Sequence, residues 1–158
     1  MNKYVDVRIA QRRTVKESVT DLSKELVGHR IVEVLTPSDD HYDFSYGTMI
    51  VLDNGKRVVI ENTSDCCAHA EVLEFLFNAD KVDHIITDVS LNSGEYEINI
   101  LADMDDVLAL RIRWGEGSGY GYSFGFKIKV KELNPEWVKL AEMENQALAE
   151  LREAGYEV

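Results

Sequence analysis

Cysteine is nearly missing from this 158-residue chain, and the two that occur are neighbours, Cys66-Cys67. Adjacent Cα atoms lie about 3.8 Å apart across a trans peptide, below the usual disulfide span of about 4.4 to 6.8 Å. The pair cannot staple distant parts of the chain. Two free thiols in a reducing compartment is the expected state, with a strained vicinal disulfide the rarer alternative. No Cys-x-x-Cys is present. Long apolar runs are missing too, and Met1-Asn2-Lys3-Tyr4-Val5-Asp6 lacks the continuous apolar stretch of a signal peptide. The expectation is therefore a cytoplasmic protein without membrane contact. Lysine and arginine number 17 against 29 aspartates and glutamates, a formal net charge of -12. That balance argues against direct nucleic-acid binding, which depends on neutralising phosphates. It leaves open an acidic surface that engages a basic partner or imitates DNA.

What is present fits one globular domain. With 45% hydrophobic and 29% charged residues, a chain of this length buries roughly 70% of its unfolded surface and needs no metal or disulfide to rescue a small core. Internal repeats, low-complexity linkers and a convincing domain boundary are lacking. Charge is unevenly spread: Asp65 to Leu110 holds eleven acids and one lysine, whereas residues 111 to 133 hold five cations and two acids.

Residues 1 to 13 set Lys3, Arg8, Arg12 and Arg13 against Asp6, with Val5, Val7 and Ile9 alternating. This reads as a basic arm or an edge strand, with residues 14 to 158 forming the domain proper. Thr14 with Glu17 makes a capping box before Val15, Val19, Leu22 and Leu26, which predicts a helix near 15–27 that stops at Gly28. A strand is expected over 30–35, and a β-hairpin over 48–52 and 56–61 around Asp53-Asn54-Gly55. Ser64 and Asp65 are N-cap candidates for a second helix over 66–77, with Val72, Leu73, Phe75 and Leu76 available to the core.

Further strands are expected near 84–91, 95–101, 107–114 and 122–131. A turn centred near Met104 would set Glu97 against Arg111 and Glu95 against Arg113. In the last strand Lys127, Lys129 and Lys131 alternate with Phe126, Ile128 and Val130, so one face is apolar and the other charged. Asn134, Pro135 and Glu136 open a final helix near 135–153 bearing Trp137, Leu140, Ala141, Leu148 and Leu151 along one side. The stripe is broken by Glu144, which favours docking onto its own sheet over a coiled coil. The expected fold is α+β: a mostly antiparallel meander sheet of about six or seven strands packed by helices near 15–27, 66–77 and 135–153.

A helix beginning at Cys66 and Cys67 would favour a thiolate through its N-terminal amides, although the charge of Asp65 opposes this. His69, three residues after Cys66, lies on roughly the same helical face and makes a possible nucleophile and base pair. The commoner reading is one cysteine in the core and one partly exposed. Zinc would need ligands beyond Cys66 and His69, such as His41 or His84. Asp39-Asp40-His41-x-Asp43 and Asp103-x-Asp105-Asp106 lack the glycine and glutamate of an EF-hand loop and read as acidic loops. Gly115, Gly117, Gly119 and Gly121 recur at alternate positions but match neither dinucleotide nor P-loop patterns. Extended, they would set glycines on one face and Ser118, Tyr120 and Tyr122 on the other. The competing reading is a hairpin tip or a bulged strand. The cationic row of Arg111, Arg113, Lys127, Lys129 and Lys131 is better read as neutralised by neighbouring carboxylates than as a phosphate site.

The order of these elements carries a resemblance. The Asp-Asn-Gly hairpin, then Val59-Ile60-Glu61 leading to Asp65-Cys66-Cys67-Ala68, then Trp114 and Gly119-Tyr120-Gly121-Tyr122 resembles a family of small uncharacterised domains of actinobacteria and their phages, over about residues 24 to 131. The resemblance implies origin and fold, and it implies that the Cys pair and the Gly-Tyr run share one site. The alternative is that both are packing features. The resulting expectation is a phage-type accessory protein that binds a host protein without catalysis, cofactor or metal, in the host cytoplasm. The alternative is a thiol- or metal-dependent site at Cys66, Cys67 and His69 with Tyr120 and Tyr122.

Overall fold

The computed structural model describes residues 3–11, 14–36, 47–64, 68–103, 105–115 and 125–157. Its α1 spans Val15–Leu26, where Thr14 Oγ1 accepts the Glu17 N–H at 3.1 Å. Val15, Val19, Leu22 and Leu26 are buried at helical spacing, as the sequence predicts. Beyond the helix Gly28 adopts φ +92°, a conformation costly for a side chain, and its N–H bonds Ile86 O at 2.9 Å.

The fold is α+β and mostly antiparallel, as expected, but among the described residues ten strands form two five-stranded sheets rather than one meander of six or seven. The first sheet holds β1 (Tyr4–Gln11), β2 (Ile31–Leu35), β3 (Gly47–Leu52), β4 (Arg57–Glu61) and β10 (Lys127–Leu133), in the order β1-β10-β4-β3-β2. The second holds β5 (Thr63–Ser64), β6 (His69–Phe77), β7 (Ile86–Asn92), β8 (Glu97–Ala102) and β9 (Asp105–Gly115), in the order β5-β6-β9-β8-β7. The chain passes from one sheet to the other after β4 and returns at β10, which slots between β1 and β4. The N-terminal segment is thus an edge strand. The β3–β4 hairpin forms as expected, with Gly55 at φ +84° and Asn54 Oδ1 accepting the Lys56 N–H at 3.0 Å.

The main core joins Leu22 and Leu26 to Ile50, Val58, Ile60 and Ile128 of the first sheet and Ile98, Ile100, Leu108 and Leu110 of the second. Each such side chain contributes about 1.5 to 3 kcal/mol on burial. Leu35, Met49, Val51 and Val59 form a second cluster on the opposite face of the first sheet. Ser18 is one of four buried polar or charged residues among the described residues, with Thr48, Asn99 and Lys131. Its Oγ accepts the Phe126 N–H at 2.8 Å and reaches Thr14 O at 3.2 Å, so the chain's entry to β10 is pinned to α1.

The helix expected over 66–77 does not form in its described part, which is β6. It pairs with β9 from His69 opposite Gly115 to Phe77 opposite Leu108. A β-bulge between Val72 and Glu74 explains the misreading: the extra residue shifts the alternation, so core residues fall at Ala70, Val72, Phe75 and Phe77. Spacing of three at Val72 and Phe75 imitates a helix.

The last helix, α2, spans Pro135–Glu153. Asn134 Oδ1 accepts the Glu136 N–H at 3.0 Å and Pro135 occupies the first turn, as expected. Yet none of its residues is buried, so it does not pack a sheet as a core helix would.

Candidate binding surfaces

Of the residues singled out by sequence, Cys66, Cys67, Tyr120 and Tyr122 lie outside the described residues, as do His41 and its acidic neighbours. His69 is described. It opens β6 opposite Gly115, and a methyl added at Gly115 would stand 2.5 Å from the ring Cε1. Thr63 Oγ1 donates to Gly125 O at 2.7 Å. The described residues bordering the cysteine pair, Ser64 and Ala68 with its neighbour His69, and those bordering the glycine run, Gly115 and Gly125, are therefore linked at one end of the two sheets.

The acidic motif at 103–106 disperses. Asp103 meets His84, Asp105 meets Lys81 at 3.1 Å, and Asp106 accepts from Asn99 at 3.1 Å. No group of three or more metal-ligating side chains occurs among the described residues.

Four cations of the row, Arg111, Arg113, Lys129 and Lys131, meet carboxylates, partly others than those expected. Glu97 does stand opposite Arg111 in the register. Arg111 Nη1 nevertheless donates to Glu74 Oε1 at 2.8 Å, and Arg113 Nε to Glu71 Oε1 at 2.6 Å. Glu95 sits in a turn at φ +74° and pairs with Lys16 at 3.0 Å. Lys129 meets Glu61 at 2.8 Å, and Lys131 meets Asp6. Glu71, Glu74, Glu95 and Asp105 thus each face a cation and Asp103 faces His84, which interrupts the acidic stretch between 65 and 110.

The α2 helix is the longer of the two α-helices among the described residues and buries none of its residues. Its root is held by the Asn134 N–H bonding Lys3 O at 2.7 Å, and Lys3 Nζ lies 4.6 Å from the Trp137 ring centroid. Beyond the root Leu140, Met143 and Leu151 are 53%, 58% and 41% exposed. With Ala147 they line one face at spacings of three and four residues, flanked by the exposed Glu136, Glu144 and Glu150. At about 1.5 Å per residue, this 19-residue helix runs about 28 Å.

Residues 24–128 match the model of a family described as Domain of unknown function (DUF7448). The chain belongs to that family. No curated protein and no solved structure matches it. The DUF7448 match takes in the end of α1 and all of β2 to β9, and stops just inside β10. The α2 helix lies outside it. No helix among the described residues is long and apolar enough to cross a membrane. Sequence reasoning placed the stripe at Trp137, Leu140, Ala141, Leu148 and Leu151 and docked it on the chain's own sheet; Trp137, Ala141 and Leu148 are half-buried while Leu140 and Leu151 are exposed, because amphipathic spacing says that a face wants cover without saying what covers it.

Proposed function

We propose that this DUF7448 protein is a phage-type accessory protein that acts by binding a host protein, without catalysis, and that α2 is the element it presents. One observation carries the reading: a capped 19-residue helix with no buried residue and an apolar stripe turned outward. Helices of this length gain most of their stability from packing an amphipathic face. Covering Leu140, Met143 and Leu151 would contribute about 1.5 to 3 kcal/mol each. The stripe is edged by Glu136, Glu144 and Glu150, so the fitting partner is a protein groove with an apolar floor and lysine or arginine at its rim. A photoreactive residue at position 143 should cross-link one host protein in cells, and one at Gln146, on the polar side, should not. L140S/L151S should abolish the cross-link. Equal labelling from both positions, or labelling unaffected by L140S/L151S, refutes the reading.

The contact of His69 with Gly115 supports a second reading, a thiol or metal site built from Cys66, Cys67 and His69 with Tyr120 and Tyr122 nearby. It requires fast thiol labelling of the native protein and a zinc stoichiometry near one that falls in H69A. Slow labelling with no zinc retained eliminates it.

A further inference from the structure

The solvent-facing side of the second sheet carries two adjoining shallow depressions that share Leu76 and Ala109. Ala109 of β9 stands between Leu76 of β6 and Asn99 of β8, and its small side chain leaves the dip. Leu76, 76% exposed, forms one wall. Four of the charged groups at the rim are already matched in two pairs, Arg111 with Glu74 at 2.8 Å and Lys81 with Asp105 at 3.1 Å.

Glu97 and Asp106 are different. Neither meets a cation among the described residues, and both lean on one amide: Asn99 Nδ2 lies 2.8 Å from Glu97 Oε1 and 3.1 Å from Asp106 Oδ1. Asn99 is only 8% exposed, and its Oδ1 accepts from Asn92 Nδ2 at 2.7 Å, so the amide is held from behind. Arg111 stands opposite Glu97 in the register but is engaged with Glu74; two carboxylates kept close without an ion pair of their own repel each other, and a cation between them removes that repulsion. Beside them sits uncovered apolar surface. This combination selects an occupant that is both cationic and apolar, and it repels phosphate.

We propose that this groove docks a segment of a partner protein that sets an arginine or lysine between Glu97 and Asp106 and a large apolar side chain over Ala109 against Leu76. The proposal stands apart from the α2 reading: the groove lies inside the DUF7448 region and α2 outside it.

The test uses the full chain, labelled with nitrogen-15, titrated with an acetylated hexapeptide alternating arginine and leucine. Chemical-shift changes should centre on Leu76, Glu97, Asn99 and Ala109. Affinity should fall about tenfold in E97Q/D106N, whose side chains still bond the Asn99 amide, and about as much in L76S, consistent with about 1.4 kcal/mol for each. E142Q/E153Q removes the same charge from α2 and should leave affinity unchanged, as should L140S/L151S. Absence of binding, shifts scattered over the acidic surface, or an equal loss in E142Q/E153Q overturns the proposal.

Discussion

The His69 imidazole lies against Gly115 so closely that even one methyl at 115 would stand 2.5 Å from its Cε1. Cross-strand neighbours in a sheet normally carry side chains that share the space; here one strand gives up its side chain to house the other's ring. Gly115→Ala should therefore destabilise by about 1 to 3 kcal/mol through overpacking. In a His69→Ala background the same change should cost little. Urea unfolding of the four-member cycle measures the coupling, and a cost independent of residue 69 refutes the contact.

Ser18 is a buried hydroxyl that ties α1 to the entry of β10, and losing it leaves the Phe126 N–H without its partner at 2.8 Å. Ser18→Ala should cost about 1 to 3 kcal/mol, the penalty of a buried donor left unsatisfied. Ser18→Thr should retain part of the stability. Thermal and urea unfolding both report this, and an unchanged midpoint in Ser18→Ala would refute it.

Two ion pairs on opposite sheets should respond differently. Lys131 is 7% exposed beside Asp6, whereas Arg111 and Glu74 are both mostly in solvent. Asp6→Ala deprives a desolvated ammonium of its carboxylate and should cost about 1 to 3 kcal/mol. Glu74→Ala should cost about 0 to 1 kcal/mol, less in high salt. Unfolding at low and high ionic strength separates them, and equal costs contradict the burial difference.

Because α2 buries none of its residues, L140S/L151S should leave the unfolding midpoint of the core within about 0.5 kcal/mol of native. A packed helix would lose about 2 to 5 kcal/mol per leucine. A loss on that scale shows that α2 does pack on its own domain in solution.

Much of the fold was legible where local chemistry decides it. Thr14 and Glu17 marked the start of α1, Asn54-Gly55 marked the β3–β4 turn, and Asn134-Pro135 marked the start of α2. Alternating lysines showed the two faces of β10. The register that sets Glu97 opposite Arg111 also followed from turn placement. The segment 69–77 was not legible, since its bulge turns a strand's alternation into helical spacing and only β9 supplies the partner that makes it a strand. The groove at Ala109 was likewise hidden. Leu76, Glu97, Asn99 and Asp106 come from three strands, and nothing in the spacing of Ile98-Asn99-Ile100 announces an amide holding two carboxylates.

By itself the sequence determined the class, the acidic balance, both helices and their caps, because these depend on residues within a turn or two of one another. Tertiary structure alone decided the split into two sheets, the return of β10 between β1 and β4, the partners of Arg111 and Arg113, and the outward course of α2. Those features depend on contacts between residues far apart in the chain, and local propensity carries no record of which distant strand arrives to make them.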